Sequence, residues 1–226
     1  MIAERWLVVR GRVDAACERA GRSSGDVTIV AISKTHPAEA VRAAAAAGAT
    51  DFGENYAQEF AAKRAECGDL RWHFVGRLQR NKAKLVAGHV ALVHAVDTVE
   101  LARELAHRAG GLLQPVLVPI AGEPSKLGTT EHDALQLARA IAAVPGIRLD
   151  GLMTVPPPAD DPEASRPAFV SLRALRDRLR DELGLALPVL SMGMSGDFEI
   201  AIACGATHVR IGTAIFGLRE PCMPLK

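Results

Sequence analysis

The residue best suited to chemistry is a lysine at the end of an apolar segment. Residues 27–37 read VTIVAISKTHP, and a run so rich in Val and Ile predicts a strand buried on both faces. Lys34 lies at the end of this strand. In one interpretation its ammonium extends into solvent along its aliphatic stem. In the other it is a partly desolvated amine with a lowered pKa, suited to forming a Schiff base.

A second group of candidates lies near the C-terminal end. The segment SMGMSGDFE contains Ser195, and RIGTAIFG contains Gly212 and Thr213. Glycine lets backbone approach an anion closely, and hydroxyl and backbone N–H groups donate to phosphate oxygens. Either segment alone could be a tight turn, with Ser195 capping the helix predicted near Asp197. Taken together, the two segments favour a phosphate-binding site.

Two further polar residues interrupt the ends of predicted strands. Arg210 stands between two apolar residues, where a guanidinium keeps its charge and requires a partner. That partner could be a barrel carboxylate such as Glu54, or the ring nitrogen of an aromatic cofactor. Asn55 could bind a phenolic oxygen or cap the helix that follows it. His73 fits a hydrogen-bonded histidine of the core or of the barrel rim better than a catalytic base.

A lysine that forms a Schiff base, a phosphate site and an arginine directed at a ring nitrogen would together hold one cofactor. That combination predicts pyridoxal 5′-phosphate (PLP). The sequence has no HxH or HExxH motif and no carboxylate pair at fixed spacing, so we assign no metal site.

The elements that must position these residues follow a regular alternation after an amphipathic helix at residues 2–20. The eight predicted strands are residues 27–34, 51–55, 71–76, 92–97, 115–120, 147–154, 188–193 and 207–211. The seven predicted helices between them are residues 37–47, 56–66, 81–87, 98–109, 131–144, 162–183 and 197–204. Alternation implies a parallel sheet, and eight strands in 226 residues predict one (β/α)8 TIM barrel spanning 1–226. The candidate residues then lie at the carboxyl ends of the strands, where such barrels carry their chemistry.

Composition narrows the classes of function. A net charge of +1 argues against nucleic acid as a partner. No apolar run approaches the 18 residues or so of a membrane span. The 4 cysteines are scattered and form no CxxC pair, which predicts reduced thiols and a cytoplasmic location.

Six motifs together resemble the pyridoxal phosphate homeostasis protein family, the single-domain relatives of the alanine racemase barrel. They are AISKTHP, DFGENYAQE, WHFVGRLQRNK, GLMTV, SMGMSGDFEIAI and VRIGTAIFG, and the resemblance runs from about residue 27 to residue 221. It implies that Lys34 holds PLP as an aldimine and that Arg210 contacts the pyridine nitrogen. It also implies phosphate contacts from Ser195, Gly212 and Thr213, with Asn55 near the ring. The implied role is intracellular PLP (vitamin B6) and amino-acid homeostasis.

The residues favour a carrier over an enzyme. An arginine does not take up the ring proton, so the cofactor would be a weak electron sink. Racemisation needs acid–base groups on both faces of the substrate carbon, and Tyr56 is the single tyrosine. We therefore predict a carrier without catalytic residues that releases PLP to amines or apo-enzymes. A weak amino-acid racemase is the alternative, and a cofactor-free barrel enzyme using Lys34 as an aldolase-type lysine is a third.

Two features complete the expectations. The barrel mouth has no covering domain in this chain, which predicts a monomer. The LQRNK segment also matches the family, but Gln79, Asn81 and Lys82 receive no role from the sequence.

Overall fold

The chain folds into a closed barrel of eight parallel strands in the computed structural model, which describes residues 1–68, 70–120 and 129–218. Each strand pairs with the next one along the chain, and the eighth pairs with the first. The strands are β1 Thr28–Ile32, β2 Asp51–Glu54, β3 Arg71–Phe74, β4 Leu92–Val93, β5 Gln114–Ile120, β6 Ile147–Thr154, β7 Val189–Ser191 and β8 His208–Ile211. The predicted (β/α)8 barrel is confirmed. Cys222 and the last residues of the family resemblance lie outside the described ranges.

Helices surround the barrel in the order that the alternation predicts. They are α1 Ile2–Arg19, α2 Ala38–Ala46, α3 Ala57–Cys67, α4 Val99–Arg108, α5 Glu131–Ala142, α6 Arg166–Leu183, α7 Phe198–Ala203 and α8 Thr213–Phe216. Three short 3₁₀ helices join them at Ser24–Asp26, Arg80–Leu85 and Pro162–Ser165. No helix among the described residues is long and apolar enough to cross a membrane.

Two predicted helices differ from the observed ones. The connection predicted as a helix at 81–87 is the 3₁₀ helix Arg80–Leu85, a geometry that suits short connectors. The helix predicted at 162–183 is divided into Pro162–Ser165 and α6. Pro167 stands in the first turn of α6, where the missing N–H costs nothing.

The barrel separates a large outer core from a small inner one. Between strands and helices, the Trp72 ring lies 5.8 Å from the Phe52 ring and 5.7 Å from the Phe60 ring, centroid to centroid. The inner core is the apolar cluster of Leu92, Leu117, Met153 and Val189. Because side chains alternate along a strand, the same strands that fill the outer core can also turn polar side chains inward.

Candidate functional site

All six residues selected from the sequence line one cavity at the carboxyl ends of β1, β2, β7 and β8. Its volume is about 450 Å³, within the range of roughly 300–1,000 Å³ typical of small-ligand sites. The six residues in its wall are Lys34, Asn55, Ser195, Arg210, Gly212 and Thr213. Ile32, Val75, Val155, Met194 and Gly196 complete the lining. Barrel closure brings these segments together because β8 pairs with β1.

Lys34 lies two residues beyond the end of β1, in a tight turn and not in the strand that the sequence predicts for 27–34. The N–H of His36 donates to the Ser33 carbonyl at 3.0 Å. Thr35 has a φ of 67°, a left-handed conformation that is uncommon outside glycine. Its N–H donates to Glu59 Oε1 at 2.5 Å. The turn places Lys34, half-buried, in the cavity wall.

A buried lysine that the sequence analysis missed fixes the base of this turn. Lys63 Nζ donates to the Ser33 carbonyl and to Glu54 Oε1, both at 2.6 Å, and to Glu59 Oε1 at 2.7 Å. These contacts join β1, β2 and α3 beside Lys34. Burial raises the pKa of Glu54, and hydrogen bonds from Lys63 and Ser33 oppose that shift. The i,i+4 spacing of Glu59 and Lys63 was the available sequence signal.

Arg210 is buried, and its guanidinium donates hydrogen bonds to two uncharged groups. Its Nη1 donates to Ser191 Oγ at 2.7 Å and its Nη2 to the Thr154 carbonyl at 2.8 Å. Burial lowers the pKa of Arg210 to about 10, and the more distant Asp197 partly offsets this. The alternative of an ion pair with Glu54 is wrong, because the Glu54 carboxylate accepts from Lys63 and Ser33. Among the described residues, the hydrogen bonds of the Arg210 guanidinium go to the neutral oxygens of Ser191 and Thr154.

The two C-terminal loops meet at the start of α8. Ser195 Oγ accepts a hydrogen bond from the Ala214 N–H at 3.3 Å. The N-cap of α7 is Asp197, whose Oδ1 accepts from the Met194 N–H at 2.7 Å. Ser195 therefore does not cap α7, and that alternative is wrong. At Gly212 a Cβ would lie 3.4 Å from the Ile32 carbonyl oxygen, so this loop passes close to the end of β1.

Asn55 does not cap the helix after it. The N-cap of α3 is Tyr56, and no side chain caps that helix. Asn55 Oδ1 is buried and has no hydrogen-bond partner among the described residues. An unpaired buried oxygen costs about 1–3 kcal/mol, a cost that a donor group on a ligand in the cavity would offset.

Two further cavities adjoin the first. One of about 560 Å³ shares Asn55, Val75, Val155 and Met194 with it and extends over the apolar ends of β5 and β6. The other, of about 370 Å³, is lined in part by Asn55, Tyr56, Gln79 and Lys82. Gln79 and Lys82, two of the three LQRNK residues without an assigned role, thus lie beside the candidate site, whereas Asn81 is not in the wall of that cavity.

The histidines occupy different settings. His73 is a buried core histidine, as predicted, with its ring nitrogens 2.9 Å from His94 Nε2 and from Asp51 Oδ1. The ring of His36 stacks on Phe216 of α8 at 5.3 Å between centroids. His132 is exposed.

The donor set fits a phosphorylated aromatic aldehyde. An amine, a buried guanidinium hydrogen-bonded to neutral oxygens and a glycine- and hydroxyl-containing loop all line one cavity. The unpaired Asn55 oxygen adds an acceptor for a hydroxyl donor. Among the described residues no group of histidines, cysteines and carboxylates could hold a metal ion.

Comparison with known proteins identifies the family of this chain. Residues 10–220 match the family described as the alanine racemase N-terminal domain. The chain is 46% identical to the pyridoxal phosphate homeostasis protein of Pseudomonas aeruginosa, over 97% of this chain and 96% of that protein. PipY of Synechococcus elongatus, solved with PLP bound, superposes with a TM-score of 0.85 at 34% identity, covering 96% and 100% of the two chains. Alanine racemase from Corynebacterium glutamicum, with a TM-score of 0.75, 22% identity and coverage of 100% of this chain and 63% of its own, shares the fold alone.

Proposed function

This chain belongs to the pyridoxal phosphate homeostasis protein family, and on that premise we propose that it binds PLP and maintains the intracellular supply of vitamin B6 and the amino-acid balance linked to it. The observation that carries the proposal is the single cavity that gathers Lys34, Asn55, Arg210 and the loop of Ser195, Gly212 and Thr213. When bound, the cofactor supplies a reactive aldehyde and an electron-withdrawing ring.

Lys34 provides the covalent link in this proposal. Its amine attaches to the aldehyde carbon as a Schiff base, and water is released. The contacts of Lys63 with Ser33, Glu54 and Glu59 support this role, because they anchor the turn that holds Lys34 in the cavity wall.

Arg210 orients the ring. Two of its nitrogens already donate to Ser191 and Thr154, and a guanidinium has five N–H donors, so it can donate a further N–H to a ring nitrogen. An arginine at that position leaves the ring nitrogen unprotonated, which weakens the electron sink that racemases and transaminases exploit.

Ser195, Gly212 and Thr213 hold the phosphate. The loops after β7 and β8 are the recurrent phosphate-binding place of these barrels. Ser195 Oγ lies beside the first turn of α8, and the missing side chain at Gly212 lets backbone approach the anion.

Storage and delivery are favoured over catalysis. Tyr56 is the single tyrosine of the chain. Its side chain is largely exposed and lines the cavity of Gln79 and Lys82, not the one that contains Lys34. We therefore propose a carrier that passes PLP to free amino acids and apo-enzymes, with a weak amino-acid racemase as the alternative. We further propose that residues 1–226 act as one cofactor-binding domain, as a monomer and in the cytoplasm, where the free thiols of Cys17, Cys67 and Cys204 stay reduced.

The test is covalent mapping of the cofactor. The protein is purified with added PLP, its absorbance is recorded before and after borohydride reduction, and the modified peptide is identified by mass. We expect a visible band that reduction removes, with the label on Lys34. Lys34→Ala should lose the band, and the exposed control Lys84→Ala should keep it.

Different results would point elsewhere. A colourless protein, or a label on another lysine, would contradict the proposed site. Interconversion of D- and L-amino acids that disappears in Lys34→Ala would favour the racemase, whereas cofactor transfer to an apo-enzyme without such turnover supports the carrier.

A further inference from the structure

A chain of hydrogen bonds crosses the barrel interior behind Arg210. Arg210 Nη1 donates to Ser191 Oγ at 2.7 Å, and that oxygen lies 2.8 Å from His94 Nδ1. His94 Nε2 lies 2.9 Å from His73 Nδ1, and His73 Nε2 lies 2.9 Å from Asp51 Oδ1. All five side chains are buried. We call this set the interior chain.

The interior chain runs through the middle of the barrel. His94 follows β4 and Ser191 ends β7, and these strands are not neighbours in the sheet. Their contact therefore spans the lumen. The interior chain begins at Arg210, in the wall of the candidate cofactor cavity. It ends at Asp51, which lines a small cavity under α1 at the opposite end of the barrel.

The two ends of the interior chain fix the direction of its hydrogens. A guanidinium can only donate, so Ser191 Oγ accepts from Arg210 and its own hydrogen is available for His94 Nδ1. A carboxylate can only accept, so His73 must carry its hydrogen on Nε2 to meet Asp51. With both histidines neutral, His94 Nε2–H then donates to His73 Nδ1. Each hydrogen bond of the interior chain, from Arg210 to Asp51, then has one donor and one acceptor.

The surroundings favour a neutral His94 and an ionised Asp51. Burial, with the neighbouring His73, His208 and Arg210, lowers the pKa of His94 well below its ordinary range. Burial alone would raise the pKa of Asp51, but hydrogen bonds from His73 and Thr50, together with the charge of Arg71, lower it overall. Asp51 is thus an ionised acceptor at neutral pH.

We propose that Ser191, His94, His73 and Asp51 are positioning residues for Arg210: their one-way hydrogen bonds hold the guanidinium in place and keep one of its N–H groups directed at the ring nitrogen of the bound cofactor. This proposal rests on the proposed binding of PLP. It assigns a function to four buried polar residues that do not themselves reach the cavity.

The interior chain can be tested first without cofactor. Nitrogen-15 NMR of the ring nitrogens in the full-length, cofactor-free protein distinguishes the tautomers of His73 and His94. We expect both to be neutral with hydrogen on Nε2. An Nδ1–H tautomer of His94, or an imidazolium at His73, would overturn the proposal whatever the protein binds.

A matched pair of variants then tests the link to Arg210. Ser191→Thr keeps the hydroxyl, and Ser191→Val has nearly the same shape without it, so the strain of the extra methyl group is common to both. We expect Ser191→Val to bind PLP about ten- to a hundredfold more weakly than Ser191→Thr, the effect of losing a hydrogen bond to a charged group. Equal affinity of the two folded variants would overturn the positioning role.

The far end of the interior chain has its own test. Asp51→Asn keeps the shape but replaces the obligate acceptor with a group that can also donate. We expect the Nδ1–H tautomer of His73 to become populated, together with weaker PLP binding. Unchanged tautomers and unchanged affinity would remove Asp51 from the interior chain. If wild-type protein binds no PLP, the proposed function fails while the tautomer measurement still reports on the interior chain.

Discussion

Lys34 and Lys63 show how differently one residue type behaves in one corner of the barrel. Lys63 is buried and its ammonium has three oxygen acceptors, from Ser33, Glu54 and Glu59. Lys34 lies in the cavity wall, half-buried, in the turn that those contacts support. The structural lysine and the proposed reactive lysine are therefore different residues, and their substitutions should have separable effects.

Lys63→Met should strongly destabilise the fold. Removing one partner of a buried ion pair leaves the other charge uncompensated, which costs about 3–5 kcal/mol. Urea unfolding measures the change, with the exposed Lys84→Met as a control. Adding Glu54→Gln to Lys63→Met should recover part of the loss. A Lys63→Met protein as stable as the control would show that the ion pair adds nothing to the fold.

Ser195→Ala should weaken cofactor binding and leave the fold intact. A hydrogen bond to a charged group contributes about 1.5–3 kcal/mol, so the PLP dissociation constant should rise roughly tenfold or more. Titration followed by absorbance measures it, and Ser171→Ala, a half-buried residue of α6 outside the cavity wall, is the control. An unchanged dissociation constant would remove Ser195 from the phosphate site.

Among the elements, the loop between β7 and α7 carries Ser195, one of the residues proposed to hold the phosphate. Gly193 has a φ of 90°, and a Cβ there would lie 2.5 Å from the Ala201 Cβ of α7. The chain can therefore turn from the strand into the helix only without a side chain at this position. Gly196, three residues further on, has no atom within 4 Å of its Cβ position. The packing of this loop therefore requires a glycine at the first of these two positions but not at the second.

Gly193→Ala should destabilise the protein by about 2–4 kcal/mol, the combined effect of a left-handed alanine and an overpacked contact. Gly196→Ala, the control in the same loop, should change stability by less than about 0.5 kcal/mol. Thermal and urea unfolding of both variants provide the measurement. Equal stability of the two variants would mean that the close approach of the loop to α7 is easily relieved.

At the scale of the whole molecule, the barrel interior combines an apolar cluster with polar side chains. Leu92, Leu117, Met153 and Val189 form the apolar cluster. The interior chain fills the lumen from β2 to β8, with the His208 ring 5.8 Å from the His73 ring. Such an interior gives Arg210 its position but makes the fold sensitive to acid, because buried neutral histidines resist protonation.

The free energy of unfolding should fall as the pH drops below about 6.5, the ordinary histidine pKa. In the folded protein burial lowers the pKa of His208 to about 3 and that of His94 well below its ordinary range, so the unfolded chain binds protons that the native state does not. Each histidine should contribute a slope of up to about 1.4 kcal/mol per pH unit below that point.

Urea unfolding between about pH 7 and 5 measures this slope, in a window above the one in which Asp51 titrates. His94→Gln should reduce the slope. His132→Gln, a change on the exposed surface, should leave it unchanged. A stability that does not vary over this window would contradict the burial of neutral histidines.

Much of the architecture was accessible from sequence because it depends on local order. The alternation of strand-like and helix-like segments predicted eight strands, and β6 was predicted with its observed ends. The carboxyl-end rule and the family motifs together selected six residues that line one cavity. The alternatives that failed, Ser195 and Asn55 as helix caps, failed because Asp197 and Tyr56 occupy the N-cap positions.

The sequence by itself determined which strands carry the chemistry and which residues stand at their ends, because the side-chain period and the strand order are properties of the chain. Only the tertiary structure decided the partners. Lys63 with Glu54, and Ser191 with His94, are pairs created by packing and barrel closure, the second across 97 positions of sequence. The stagger of the closed barrel sets which inward side chains lie at the same height. The spacing of residues in the sequence does not show which side chains share a height, so the hydrogen-bond partners of Arg210 could be identified only in the folded molecule.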